Sequence, residues 1–305
     1  MTTTRLYCPD IECDSCIKVI SRTLSNKEGI TNFNIKKEYV DVDYDNNKIN
    51  KDDIANTIKE KGYRADFVPF IRKTFTERFR DFKENKHKYE IEYKMLEYSL
   101  YIFLILLSLE ALSYLLLKEF LGDFFKKYST WLLYLDLFII SIGASIWHFK
   151  SYRTNITSML GMMIGMTFGM QSGFMIGIVL GATNGMFVGS MTGMFVGVIL
   201  GFYTGKCCGI MGSLQGMMAG LMGGIMGGIT GVMMRVDKIS WFMPFFAIFN
   251  LLIMWGLSYL LYEDIVEDNS KIEIKPMKFW NFAVYSILAV LLLAIIIMYG
   301  PKSGI

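Results

Sequence analysis

Two cysteines separated by two residues, Cys13-Asp14-Ser15-Cys16, stand where a loop enters an amphipathic segment carrying Ile17, Val19, Ile20 and Leu24. A helix N-terminus lowers a thiol pKa, so thiolates are available there. Two thiolates from one short loop bind a two-coordinate ion such as Cu(I) and leave it open to exchange. The same spacing serves thioredoxin-like redox sites. Against that stand the order of the surrounding elements and the absence of Pro or Gly between the two cysteines. Cys8, five residues upstream, reads either as a third ligand or as a small buried apolar residue.

Further along the chain lie other groups able to hold an ion. Lys206-Cys207-Cys208 places vicinal cysteines in a short turn between two apolar stretches, where they either accept a metal by ligand exchange or simply line a membrane interface. Sixteen of the 22 methionines fall between Met159 and Met234. Met162, Met166 and Met170 form one row at four-residue spacing, and Met218, Met222 and Met226 another. Thioether sulfur is a neutral soft ligand that suits Cu(I) or Ag(I), but methionine is equally a flexible gap filler. Glu110 and Asp136 interrupt apolar stretches, and carboxylates inside a membrane are costly and functional by default. They would carry protons or bind a cation together; Asp136, near the expected start of its span, would otherwise reach the interface. His148 lies close to the 150–155 loop as an interfacial or assisting side chain.

The elements that must position Cys13 and Cys16 occupy residues 1–69. Arg5–Cys8 reads as a strand and Ile17–Leu24 as a helix. Ile30–Ile35 and Tyr39–Tyr44 alternate at period two, Ile54–Ile58 lies in a helix that stops at Gly62, and Tyr63–Val68 reads as a last strand. The order βαββαβ predicts an α+β ferredoxin-like head. With Asp10-Ile11-Glu12-Cys13-Asp14-Ser15-Cys16, the third strand Tyr39–Tyr44 and the closing Lys61-Gly62-Tyr63-Arg64-Ala65, residues 4–68 resemble the heavy-metal-associated domain of copper chaperones and of metal-pumping P-type ATPase tails. The resemblance implies that Cys13 and Cys16 are the metal ligands and that Tyr63 lies in the loop packing near them. The family usually has Gly-Met where this chain has Asp10-Ile11. Glu12 stands where zinc- and lead-handling members often carry an acidic residue, and a carboxylate suits Zn(II) or another divalent ion beside the favoured Cu(I).

Residues 70–97 carry 8 Lys+Arg and 6 Asp+Glu between Arg72 and Glu97, with Phe75, Phe79, Phe82, Tyr89, Tyr93 and Leu96 at seam spacing, which predicts a charged helical stalk. The remainder, 98–305, reads as a membrane domain. No charged residue occurs between Arg153 and Lys206 or between Lys206 and Arg235, and a span needs roughly 20 apolar residues. Seven spans are predicted, near 98–117, 131–149, 156–180, 184–204, 208–233, 241–262 and 279–299. The third ends near Thr183-Asn184 or breaks earlier, near Gln171-Ser172. With no apolar signal-peptide core at the N-terminus, the head is expected in the cytosol, together with loops 150–155, 205–207 and 263–278. Glycine recurs at every fourth position from Gly161 to Gly209, and again from Gly212 to Gly228, joined by Gly223, Gly227 and Gly231. Gly-x-x-x-Gly lets helices approach closely in lipid. A period of four overshoots 3.6, so the glycine stripe drifts by about 40° per step and offers a smooth flank to more than one neighbour, within one chain or across subunits.

These features exclude a soluble enzyme, and a net charge of +3 without a basic face argues against nucleic acid. There is no phosphorylated Asp-Lys-Thr-Gly loop, no phosphate-binding Gly-Lys-Ser/Thr, and no Ser-His-Asp set to be built from His87 and His148, so no catalytic residues are assigned. The sequence therefore predicts a membrane protein that takes a soft heavy-metal ion, Cu(I) first, on Cys13 and Cys16. It would pass the ion by Cys207 and Cys208 to the methionine rows, which share their Met-x-x-x-Met and Gly-x-x-x-Gly logic with the eukaryotic Ctr copper transporters. The alternatives are a membrane-anchored metal sensor or buffer, and a glycine-zipper channel or homo-oligomer regulated by metal. Lipid is the expected environment, and a metal chaperone and a second copy are the candidate protein partners.

Overall fold

Alternation along the first strands sets the head. In the computed structural model, which describes residues 2–11, 14–70, 76–77, 80, 83, 89–116, 118–153, 158–263, 273–274 and 277–302, β1 runs Thr2–Cys8, β2 Ile30–Lys36 and β3 Glu38–Tyr44. They form an antiparallel sheet in the order β1-β3-β2. Leu6 and Cys8 of β1 and Val40, Val42 and Tyr44 of β3 point to one face, which α1 (Asp14–Ser25) covers with Cys16, Ile20 and Leu24, and α2 (Lys51–Lys59) with Ile54 and Ile58. The spacing of Cys16, Ile20 and Leu24 is the i, i+4 row of a helix face. Burying each of the large aliphatic side chains contributes about 2 kcal/mol. Gly62 adopts φ +85°, a left-handed conformation that favours glycine, where the chain leaves α2. The expected last strand, Tyr63–Val68, is reduced to one bridge: Tyr7 and Asp66 exchange backbone hydrogen bonds of 2.7 and 3.1 Å. The segment holds the strand's place beside β1 but does not extend the ladder.

The second unit, residues 86–153 and 161–305, is helical. Its helices are α3 (Glu90–Leu116), α4 (Lys118–Ser151), α5 (Ser158–Asn184), α6 (Met186–Gly205), α7 (Gly209–Val236), α8 (Ile239–Leu261) and α9 (Phe279–Tyr299). Among the described residues, seven helices are long and apolar enough to cross a membrane, and the chain is an integral membrane protein. Helix α3 begins at Glu90, so residues 90–97 of the expected stalk run into the first span as one helix; Phe75, Phe79 and Phe82 of the expected seam lie outside the described residues. The second span differs from expectation: it is a 34-residue helix, so Asp136 sits near the middle of the apolar stretch Gly122–Ser151 instead of near its start. Helix α5 passes unbroken through Gln171-Ser172 and ends at Asn184; Gly185, at φ +111°, makes the break before α6.

Helices α5, α6 and α7 pack backbone to backbone. A methyl group added at Gly173 of α5 would stand 2.8 Å from the Gly220 oxygen of α7 and 3.1 Å from the Gly193 oxygen of α6. One added at Gly197 of α6 would stand 2.7 Å from the Gly220 oxygen and 2.9 Å from the Gly169 oxygen. Each glycine flank thus serves two neighbours, as the 40° drift requires, and here both lie in the same chain.

One end of this unit gathers several connections. Tyr152–Arg153 (β4) pairs antiparallel with Glu273–Ile274 (β5), Lys150 Nζ lies 4.4 Å from the centre of the Tyr203 ring, and Tyr89 stacks on Tyr262 at 5.0 Å. The links after α4, α6 and α8, and the start of α3, therefore share an end. Toward the other end, Asn184 Nδ2 donates to the Ile296 oxygen at 3.0 Å, and Lys302 lies over the Tyr128 ring.

Candidate metal centre

The loop after β1 is held at both sides. The Ile11 N–H donates to the Cys8 carbonyl at 3.3 Å, and Ile11, where the family usually has Met, is buried in the head core. Asp10, where the family usually has Gly, accepts hydrogen bonds from the Arg64 backbone N–H at 2.8 Å and from its guanidinium Nε at 3.0 Å, and forms an ion pair with Nη2. Both side chains are largely shielded, so these charge-assisted bonds tie the loop before the cysteines to the loop after α2. Nothing local in the sequence marks this pair: opposite charges 54 residues apart carry no periodic or motif signal.

Cys16 lies in the first turn of α1, where unpaired backbone N–H groups favour a thiolate, and its side chain is buried in the cluster that also holds Tyr63. Cys13 and Glu12 lie outside the described residues. Cys8 is fully buried in β1; burial, and then the Asp10 carboxylate, push its thiol up to about 12, so it is uncharged at neutral pH. The structure gives Cys8 the place of a small core residue. Among the described residues, no group of three or more His, Cys, Asp or Glu side chains converges.

In the helical unit, Cys207 is exposed on a 3₁₀ turn, Lys206–Cys208, and its Sγ donates to the Thr204 carbonyl at 3.2 Å. The Cys208 side chain lies outside the described residues. Met166 and Met170 are exposed, Met162 is half-buried, and Met218, Met222 and Met226 are exposed. Both rows therefore look away from the glycine seam; they do not line the interior of the three-helix cluster.

His148 lies in the last turn of α4. It is fully buried, with Nε2 3.2 Å from Glu92 Oε1 of α3, and the same oxygen accepts the Tyr152 hydroxyl. Burial, and then the Glu92 carboxylate, hold that hydroxyl far above its usual range, so it stays a donor. The Tyr89 and Tyr262 hydroxyls, 2.7 Å apart, lie at the same end. Glu92 stands in a run of charges that reads as a solvated stalk, which is why the sequence did not single it out. Glu110 and Asp136 are brought together: their carboxyl groups lie within hydrogen-bonding reach, on adjacent helices α3 and α4.

Residues 5–64 match the family model of the heavy-metal-associated domain. The match covers the head and none of the helical unit. No curated protein and no solved structure matches the chain. The comparison thus carries the head's resemblance, which implies heavy-metal binding, and the structure carries its βαββα order.

Proposed function

We propose that this chain binds Cu(I) between Cys13 and Cys16 on a cytosolic head, and that Cys207 and Cys208 accept the ion by thiolate exchange for movement across the membrane. The observation that carries the reading is the placing of exposed Cys207 at the end of the helical unit where its first helix begins, downstream of a head with heavy-metal-associated chemistry. Thiolate exchange needs an accessible acceptor, and Cys207 has one face open. A metal chaperone is the proposed donor. Zn(II) is the alternative ion, through Glu12 as an additional oxygen ligand.

The test is a vesicle uptake assay with Cu(I), comparing the full chain with the Cys207→Ser/Cys208→Ser double variant. Loss of both thiolates is expected to reduce flux by about tenfold or more, since ligand contributions of a few kcal/mol each change rates by that order. Unchanged flux removes the relay.

A second reading is favoured by the packing. Where no methyl group fits between α5, α6 and α7, no hydrated ion fits either, and the methionine rows face outward. A membrane-anchored sensor or buffer accounts for both. Under it the head binds metal, but no variant shows flux above that of empty vesicles.

A further inference from the structure

We infer that Glu110 and Asp136 form an intramembrane proton-binding pair, one proton held between the two carboxyl groups. Glu92 meets His148, Tyr98 stacks on Trp147 at 5.6 Å, and Tyr114 packs edge-on against Phe125 at 5.9 Å, so α3 and α4 run alongside each other in opposite directions. Between these contacts the helices bring the carboxyls of Glu110 and Asp136 within hydrogen-bonding reach. Asp136 has 0% exposure, and neither of its carboxyl oxygens, nor Glu110 Oε1, finds a donor among the described residues. Two ionised carboxylates are acceptors only; a proton between them supplies the missing donor.

Among the described residues, no cation takes the proton's place. Helices α8 and α9, which pack against α4, carry no Lys, Arg, His, Asp or Glu; their titratable groups are Tyr259, Tyr285 and Tyr299. On α3 the acidic and basic side chains other than Glu110 are Glu90, Glu92, Lys94 and Glu97, at least three turns away. On α4 they are Lys118, Glu119, Asp123, Lys126 and Lys127 on one side of Asp136, and His148 and Lys150 on the other. The nearest in sequence, Lys127, lies nine residues before Asp136, about 13 Å along the helix. Lys302 is placed over the Tyr128 ring. A bound metal ion fits less well. A hard divalent cation takes six or more oxygen ligands, soft ions prefer sulfur, and no third His, Cys, Asp or Glu joins the pair among the described residues. Two uncompensated charges at this depth would each cost about 3 kcal/mol. One shared proton removes one charge and spreads the other over both groups.

The inference stands whether or not the chain moves metal, and its test reads the carboxyl groups themselves. The full chain is reconstituted in lipid nanodiscs and its infrared spectrum recorded at neutral pH, in H₂O and D₂O. A protonated-carboxyl stretch that shifts in D₂O is expected in the native chain and is lost in the Glu110→Gln/Asp136→Asn double variant. If the double variant fails to fold, Asp136→Asn alone serves, and the band should change in frequency as Glu110 exchanges a carboxyl partner for an amide. A native chain without the band, or a band untouched by either variant, overturns the pair. So does a band that disappears when Na⁺ or Zn²⁺ is added at constant pH, which assigns the site to a metal cation.

Discussion

Changing both Cys13 and Cys16 to Ser in the full chain is expected to reduce head-bound Cu(I) from about one equivalent to ~0.1 or less, measured by elemental analysis after desalting. The two hydroxyls do not ionise at neutral pH, and neutral oxygen is a poor ligand for a soft ion. The loss in affinity should exceed the ~10–100-fold that partners behind the ligands are worth, because here the donors themselves go. Cys16 also lies in the head core, so Ser there buries a hydroxyl at a cost of about 1–3 kcal/mol. Circular dichroism separates the two effects. A folded head without metal supports the thiolate pair, and a folded head that keeps its full equivalent contradicts it.

The second large effect is expected at Gly224. A side chain there would collide with the main-chain atoms of Gly193 and Met194, and Gly220 meets Gly197 and Val198 in the same way. Main chain cannot swing aside as a flexible side chain can, so the helices must separate along the seam. Gly224→Val should therefore cost ~3 kcal/mol or more, at or beyond the top of the usual range for overpacking. For a helical unit of this size that lowers the detergent melting temperature by roughly 6–12 °C. Gly256 of α8 provides the control: an added methyl meets nothing within 4 Å, and Gly256→Ala should melt as the native chain does or slightly higher. Equal melting of Gly224→Val and Gly256→Ala would contradict packing of α5, α6 and α7 within one chain.

The seam was legible because its cause is arithmetic. A four-residue glycine period on a 3.6-residue helix turns the smooth flank toward two neighbours, and Gly173 and Gly197 each meet two. The same arithmetic contains the signal that locates the methionines. Met218, Met222 and Met226 each follow a glycine of the row by two residues, about 200° around the helix, which sets them opposite the seam. Soft-ligand chemistry suggested an interior path; helical phase points the row outward. In the head, alternation and the helix row of Cys16, Ile20 and Leu24 carried the fold, while the last strand shrank to the Tyr7–Asp66 bridge. What stayed illegible was pairing at a distance. Asp10 finds Arg64 across the head, and Glu92 finds His148 and Tyr152 across two helices. Each of those side chains alone reads as a surface charge or an interfacial ring, and only tertiary packing makes them partners.

Self-association also looks different once the helices are packed. The glycine flanks of α5, α6 and α7 are already filled by one another. A second copy would meet the outward methionine face or the stalk.

On the proposed function, one polypeptide offers two stations to one soft ion, first at the head and then at the 206–208 turn. The decisive measurement is metal content by element on the purified full chain, beside a fragment of residues 1–69 and beside the full chain with Cys207→Ser/Cys208→Ser. Copper is expected on all three, with the native full chain holding about one equivalent more than the other two. A fragment that binds no metal, or a native chain holding no more than its double variant, would contradict it.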